Sequence, residues 1–448
     1  MNGMITVFRN AWVDTQLRKK ILYTLFIIIL FRLGSNIFVP FLDNAAISTM
    51  MGDASLLNYL DVMTGGSLGK GTLLAMSITP YINASIIIQL LAVAIPALEK
   101  LSKEGEEGQK KMNTITKIVS LALAIFQATA FYFTLRNGLN QNDQHTAILK
   151  YGDVLYGKND DMFSVILSAV CIISCFVAGA SLIIWLGDRI NEKGIGNGIS
   201  MILFAGIISN LPGTVEYFIE LCKQKMSNII YVVLIVIVFL AMIWFVIYMT
   251  NAERRIPVQY AKRVVGRKMY GGQSTHIPIK VAMSGVMPII FAMSIMSLPQ
   301  TICYFFGVDG TGTGFWDGAI RFVFSQSSPV YAVVYFILII LFNYFYVSIT
   351  FNPVEIANNL KKNNGAIPGY RPGKPTSDFI YNSLNKITLI GAIFLGIIAI
   401  FPIIFALITK LNVSLGGTTM LIVVGVALET VRSLESQIMV HHHKGFLD

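Results

Sequence analysis

Two glycine-rich stretches are the first places to look for phosphate chemistry. In GGSLGKGT (65–72) a lysine stands among glycines, the composition of a loop whose backbone amides cradle a phosphate. Thr64, however, occupies the place of the required first glycine, and Gly71 stands where Ser or Thr would hold Mg²⁺. GIGNG (194–198) follows no strand-like run, which a dinucleotide site needs. The four cysteines, Cys171, Cys175, Cys222 and Cys303, form no CxxC pair; Cys171 and Cys175 share a helix face as small packing residues, so neither a disulfide framework nor a zinc site is indicated. Three of the five histidines form the run His441 to His443, read as part of a solvated tail. No nucleotide, metal or cofactor site is expected, and no catalytic residue.

The elements that would carry any chemistry are membrane spans. Of 448 residues, 54% are apolar and 13% charged, against about a quarter charged in an ordinary soluble domain. Ten apolar segments follow, at about 21–41, 71–98, 118–136, 162–186, 198–212, 229–250, 281–306, 328–351, 387–410 and 417–436, most near the roughly 20 residues that cross a bilayer as helix. Segments two and seven are read as broken by Pro80 and Pro288, which a membrane tolerates only where protein or water, not lipid, meets the freed backbone. The first segment is too long for a cleavable signal and no small-x-small site follows it.

With the N-terminus inside, the inner regions hold 25 of the 34 Lys and Arg, seven of them in 251–280. The net charge of +10 is therefore a topology signal that puts both termini in the cytosol. Ten spans divide into five and five, and an odd number per half inverts the second half relative to the first. No Asp, Glu or Lys falls near mid-membrane; Arg32 is the one clear intramembrane charge, expected to pair with backbone carbonyls. Ion-coupled carriers and intramembrane proteases need ionisable groups at that depth, so both are disfavoured.

Long irregular stretches carry a resemblance: GKGTLLAMSITPYINASIIIQLL (69–91) with KEGEEGQKK (103–111), GDRINEKGIGNGISMILFAGI (187–207), the run 253–292 beginning ERRIPVQY, FNPVEIANNLKKNNGAIPGYRPGKPTSDFI (351–380) and GGTTMLIVV (416–424). Together they resemble the SecY family, the central subunit of the bacterial protein-conducting channel. The resemblance implies an all-α polytopic fold: halves 21–212 and 229–436 around a central pore, joined by an outer hinge loop 213–228. Residues 1–20 and 437–448 are then cytosolic. It implies a passive pore that moves unfolded, signal-bearing preproteins outward and releases apolar helices into lipid. The partners implied are SecE, SecG, and the SecA motor or a translating ribosome. No cofactor is implied.

Carried over by motif, an apolar pore ring falls on Ile78, Ile82, Ile199, Leu203, Ile290 and Ile422. Spacing alone puts Ile78 with Ile82, and Ile199 with Leu203, on one helix face, equally suited to lipid or bundle core. A plug, about 57–70, includes Leu60, Asp61, Val62, Met63, Thr64, Gly65 and Gly66; a plain outer loop would look similar. A lateral gate between segments two and three and segments seven and eight is marked by Asn83, Gln127 and Leu298, residues that could otherwise merely stitch neighbouring helices. Cytosolic loops 251–280 and 352–386 offer Arg254, Arg255, Lys262, Arg263, Arg267, Lys268, Lys361, Lys362, Arg371 and Lys374 for docking SecA or ribosomal RNA, beyond setting topology. Gly and Pro around Arg371 (GYRPGKP) specify a shaped turn that topology does not need. Phe41 stands where the family commonly has Gly, Leu203 replaces an expected Ile, and the polar loop 137–161 and the His run depart from the pattern.

Overall fold

The computed structural model describes residues 12–44, 47, 61, 64–137, 162–224, 226–260, 263–265, 268–270, 274–305, 318, 320–324, 328–409 and 417–444. Every one of the ten apolar segments is occupied by a helix: α1 Thr15–Gly34, α2 Thr79–Ala94, α4 Glu106–Asn137, α5 Met162–Lys193, α6 Gly198–Ser209, α8 Met226–Asn251, α9 Met287–Phe305, α10 Pro329–Thr350, α12 Lys374–Thr409 and α13 Gly417–Lys444. Shorter helices α3 Pro96–Lys103, α7 Leu211–Gln224 and α11 Pro353–Lys362 lie between them. The stretch 213–228, expected as a hinge loop, is helical in α7 as far as Gln224 and again from Met226 in α8.

By length and apolarity alone, six of the described helical stretches can cross a membrane, or seven when α2 and α3, bent by 108° at their junction, count as one. Arg18, Lys19, Lys20 and Arg32 dilute α1, and α9 carries Pro299 within its length without ending there.

The two prolines read as breaks are helix starts. Pro80 sits in the first turn of α2 and Pro288 is the second residue of α9, where a missing N–H costs nothing. Segment two is therefore non-helical from Gly71 to Ile78, and this stretch is largely buried. Its backbone finds partners across the chain: Val39 N–H donates to the Gly71 carbonyl (3.1 Å) and Leu73 N–H to that of Ile37 (2.8 Å). Polar caps start other helices. Asp14 accepts from Gln16 N–H at 2.9 Å, Asn197 from Ile199 N–H at 3.1 Å and Asn352 from Val354 N–H at 3.2 Å.

The two halves repeat one packing pattern. In the first, α2 packs on α4, α4 on α5, α5 on α6 and α1 on α6; in the second, α9 packs on α10, α10 on α12, α12 on α13 and α8 on α13. This is the five-helix duplication that the span count suggests. The halves meet in two places, where α6 lies against α13 and where α9 lies against α2 and α4.

Glycines set the closest approaches. A Cβ on Gly198 would collide with the Gly187 carbonyl, joining α6 tightly to α5, and one on Gly179 would collide with the Leu73 carbonyl. Phe41, standing where Gly is common in the resembled family, adopts φ +66°. That conformation costs a non-glycine residue about 1–2 kcal/mol, a physical reason for glycine at this place.

Candidate functional site: a closed apolar waist and its cover

All six ring candidates enter one apolar cluster. Ile78, Leu203, Ile290 and Ile422 are buried in it, and Ile82 and Ile199 pack against it half-buried. They come from α2 or its cap, α6, α9 and α13, the four helices that face one another across the contacts α6 to α13 and α2 to α9. The expectation that Ile78 and Ile82 share a helix face needs adjusting. Ile78 is the capping residue before α2, and its carbonyl accepts from Ile82 N–H at 3.0 Å. The cluster is wider than the ring, since Ile183 and Ile190 of α5 and Ile27 and Phe31 of α1 complete it.

On the outer side the plug candidates divide. Leu60, Val62 and Met63 lie outside the described residues, as does 138–161 of the polar loop. Asp61 closes a compact loop: its Oδ1 accepts from Gly69 N–H at 2.6 Å, while its carbonyl accepts from Thr64 Oγ1 at 3.0 Å and Gly66 N–H at 2.9 Å. Burial pushes the Asp61 carboxyl above its ordinary 3.8, with the Gly69 and Leu68 amides and the Lys70 charge opposing. Gly65 and Gly66 turn at φ +73° and +78°, a conformation that glycine adopts freely. Gly65 is pressed on α6; a Cβ there would come within 2.6 Å of Ser209 Oγ and 2.8 Å of the Gly206 carbonyl. Ser209 lies six residues beyond Leu203, about 9 Å along the helix.

Arg32 reaches this loop. Its Nη1 donates to the Gly65 carbonyl at 3.1 Å and to Ser35 Oγ at 3.3 Å. Pairing with a backbone carbonyl was expected of Arg32, but which carbonyl was not legible.

At the second meeting of the halves, Asn83 of α2 is 3% exposed and its Oδ1 has no hydrogen-bond partner among the described residues. Gln127 on α4 and Leu298 on α9 are half-buried. All three lie on helices of the contact between α9 and the pair α2 and α4.

This arrangement of helices has known counterparts. The model of the SecY family matches residues 72–431. The protein translocase subunit SecY of Mycobacterium bovis is 39% identical over 459 residues, covering 99% of this chain and all of that one. The chain belongs to the SecY family. Among solved structures, one of a SecY protein concerned with the plug domain and the closed state of the translocation channel superposes with TM-score 0.65 at 21% identity, covering 94% of this chain and 93% of that one. Sec61 in a canine ribosome–channel complex superposes with TM-score 0.61 at 20% identity over 94% and 93%. These likenesses establish the fold: a multi-pass, mostly helical membrane protein of the SecY type.

The basic loops 251–280 and 352–386 of this SecY-family chain are a folded platform, which the sequence reading missed. Strands β1 Glu253–Tyr260, β4 Ser274–Lys280 and β5 Gly365–Ala366 form an antiparallel sheet in the order β4-β1-β5, so the loops 251–280 and 352–386 are parts of one body. The signal was present: Ile256 and Val258 point inward while Arg255, Pro257 and Gln259 stay exposed, a period of two. Their inward faces pack with Ile279, Leu360, Ile367 and Ile380. A short hairpin, β2 Arg263–Val265 with β3 Lys268–Tyr270, extends beyond.

Of the docking candidates, Arg254, Arg255, Lys361, Lys362, Arg371 and Lys374 are exposed, Arg263 and Lys268 begin the hairpin strands, and Lys262 and Arg267 lie outside the described residues. The turn around Arg371 is shaped: Gly369 and Gly373 adopt φ +87° and +108°, and the Arg371 carbonyl accepts from Thr376 Oγ1 at 2.8 Å.

Proposed function

We propose that the chain is the channel subunit of a bacterial protein translocase, a passive conduit for unfolded secretory polypeptides that also releases apolar segments sideways into the plasma membrane. What carries this reading is the convergence of six aliphatic positions, drawn from both halves, in one buried cluster where the halves meet. A wall of branched aliphatic side chains has no hydrogen-bond partner to hold a passing residue, so polypeptides of any sequence slide through. When narrow it dewets, and an ion entering it would lose its hydration.

The loop from 57 to 70 serves as the plug, and Asn83, Gln127 and Leu298 line the lateral gate. Both termini are cytosolic, as the basic inner loops require. The halves 21–212 and 229–436 move as units joined through 213–228 at the outer face. The chain catalyses no reaction and has no nucleotide site of its own; SecA or a translating ribosome supplies the work, and SecE and SecG accompany it in the membrane. The exposed arginines and lysines of the platform dock the driving partner, by counterion release on ribosomal RNA or by charge complementarity on an acidic motor surface.

The direct test jams a half-exported precursor in the channel and places photo-crosslinkers at Ile82, Ile290 and Trp244. The precursor is expected to react at Ile82 and Ile290 and not at Trp244, which is 68% exposed on the outer surface of α8. Reaction at Trp244 alone would defeat the channel reading.

The plug reading gives a pH dependence. In the seated loop the Asp61 carboxyl binds its proton more tightly than a displaced, hydrated carboxyl does. Seating is therefore weakened by the buried charge at neutral pH. It strengthens as outer pH falls through the raised value, and levels off below the ordinary 3.8. Resting ion flux should fall along that path in the wild type. Asp61→Asn, which keeps the acceptor for Gly69 N–H, should be tight already at neutral pH and insensitive to the titration; equal pH sensitivity in both proteins would contradict this.

A further inference from the structure

Arg32 is a cation in a span that offers it no anion. Among the described residues it forms no ion pair, and its donors go to neutral acceptors, the Gly65 carbonyl at 3.1 Å and Ser35 Oγ at 3.3 Å. It sits half-buried in the last turn of α1, and a half-buried cation with only neutral partners is held by those partners alone. From a second side Ser209 Oγ of α6 lies 3.4 Å from the Gly65 carbonyl, sharing its one proton with the Gly206 carbonyl, the nearer acceptor at 2.6 Å. One carbonyl of the turn is therefore held between α1 and the helix that carries Ile199 and Leu203.

Other features of the molecule carry less. The apolar face of α8 is open, with nothing to say what covers it, and the Lys117–Asp188 pair at 2.6 Å ties α4 to α5 within one half. The contact of Arg32 differs because it joins α1 to the Gly65 turn of the candidate plug.

We propose that Arg32 is a positioning residue, a latch that keeps the plug seated by holding the Gly65 carbonyl and lets go when an entering polypeptide lifts the turn off α6. The proposal rests on the plug reading of 57–70. The guanidinium suits the task because a charge-assisted hydrogen bond is stronger than a neutral one. Gly65 suits it because only a residue without Cβ brings its carbonyl between α1 and α6 in this turn. A polypeptide entering between Leu203 and Ile290 meets the turn seated on α6 beyond Leu203, and lifting the turn takes the Gly65 carbonyl away from Arg32 and Ser209 together. Sensing at the waist is thereby linked to release of the cover.

The test uses the full chain with its membrane partner subunits in proteoliposomes, and reads resting ion flux without precursor. Arg32→Leu is expected to raise flux about tenfold, the scale of one lost charge-assisted bond, and Arg32→Lys, which keeps a cationic donor, to restore most of the seal. In a chain lacking residues 60–66, flux should be high already and Arg32→Leu should add nothing. Flux in Arg32→Leu equal to wild type, or an equal rise in the shortened chain, would overturn the latch while leaving the plug intact. An unchanged seal in the shortened chain would instead remove the plug reading itself, and the latch with it. Should Arg32→Leu fail to accumulate, Ser209→Ala removes the second donor: a rise of about threefold supports the latch, and wild-type flux opposes it.

Discussion

Serine at both Ile82 and Ile290 should make the resting channel conduct small ions at about ten times the wild-type rate or more, because hydroxyls wet a constriction that aliphatic side chains keep dry. Export of a precursor should stay within about twofold of wild type, since a passing chain requires no particular partner from the wall. The control is Ile183→Ser. Ile183 is 0% exposed in the same cluster but lies on α5, away from the two meetings of the halves. It should cost about 2–5 kcal/mol of stability, as truncating buried aliphatics does, without raising flux in the protein that folds. Ion flux into proteoliposomes measures both. If Ile183→Ser leaks as much as the double variant, the cluster seals as an undivided core and no ring exists within it.

Asn83→Leu should close the lateral gate more firmly. Among the described residues the buried Asn83 Oδ1 has no hydrogen-bond partner, and an unsatisfied buried polar group costs about 1–3 kcal/mol. Leucine of similar size removes that cost in the closed state and withholds a polar contact from the open one. A segment of intermediate apolarity should then enter the lipid about tenfold less efficiently, matching a shift near 1.4 kcal/mol. A strongly apolar segment, gaining roughly 0.3–0.6 kcal/mol per residue, should be little affected. Gln127→Leu should do less, because Gln127 is half-buried and reaches water. Carbonate-resistant insertion of a graded series of model segments measures this; easier insertion in Asn83→Leu would mean that the amide holds the seam open rather than weakening its closure.

The spans were legible because a bilayer imposes one period and one length on any helix that crosses it. All ten apolar runs hold helices for that reason. Start points were less legible. Leu73 to Ile78 are as apolar as the helix that follows, and only their antiparallel contacts with Ile37 and Val39 reveal that they are not helical. Composition could not report this, since hydropathy is blind to which backbone groups find partners elsewhere. The ring assignment rests on family motifs, and neither spacing nor apolarity could have separated Ile290 from Ile289 beside it. The sheet of the basic loops was visible in the alternation of Ile256 and Val258, but a short exposed strand far from its partner β5 reads as loop until the pairing is seen. The acceptor for Arg32 was illegible in principle, because a glycine carbonyl 33 residues away leaves no mark on the side-chain sequence.

The glycine crossings of the first half bear on how the wall can yield. With Gly198 against the Gly187 carbonyl and Gly179 against that of Leu73, neither α6 nor the stretch leading into α2 has slack with respect to α5. A bulky side chain squeezing past Leu203 cannot dent that wall locally. It must swing the five-helix block as one stiff jaw, so the aperture is set by the angle between two rigid bodies, and its width for a large residue and a small one differs by rotation rather than by softness.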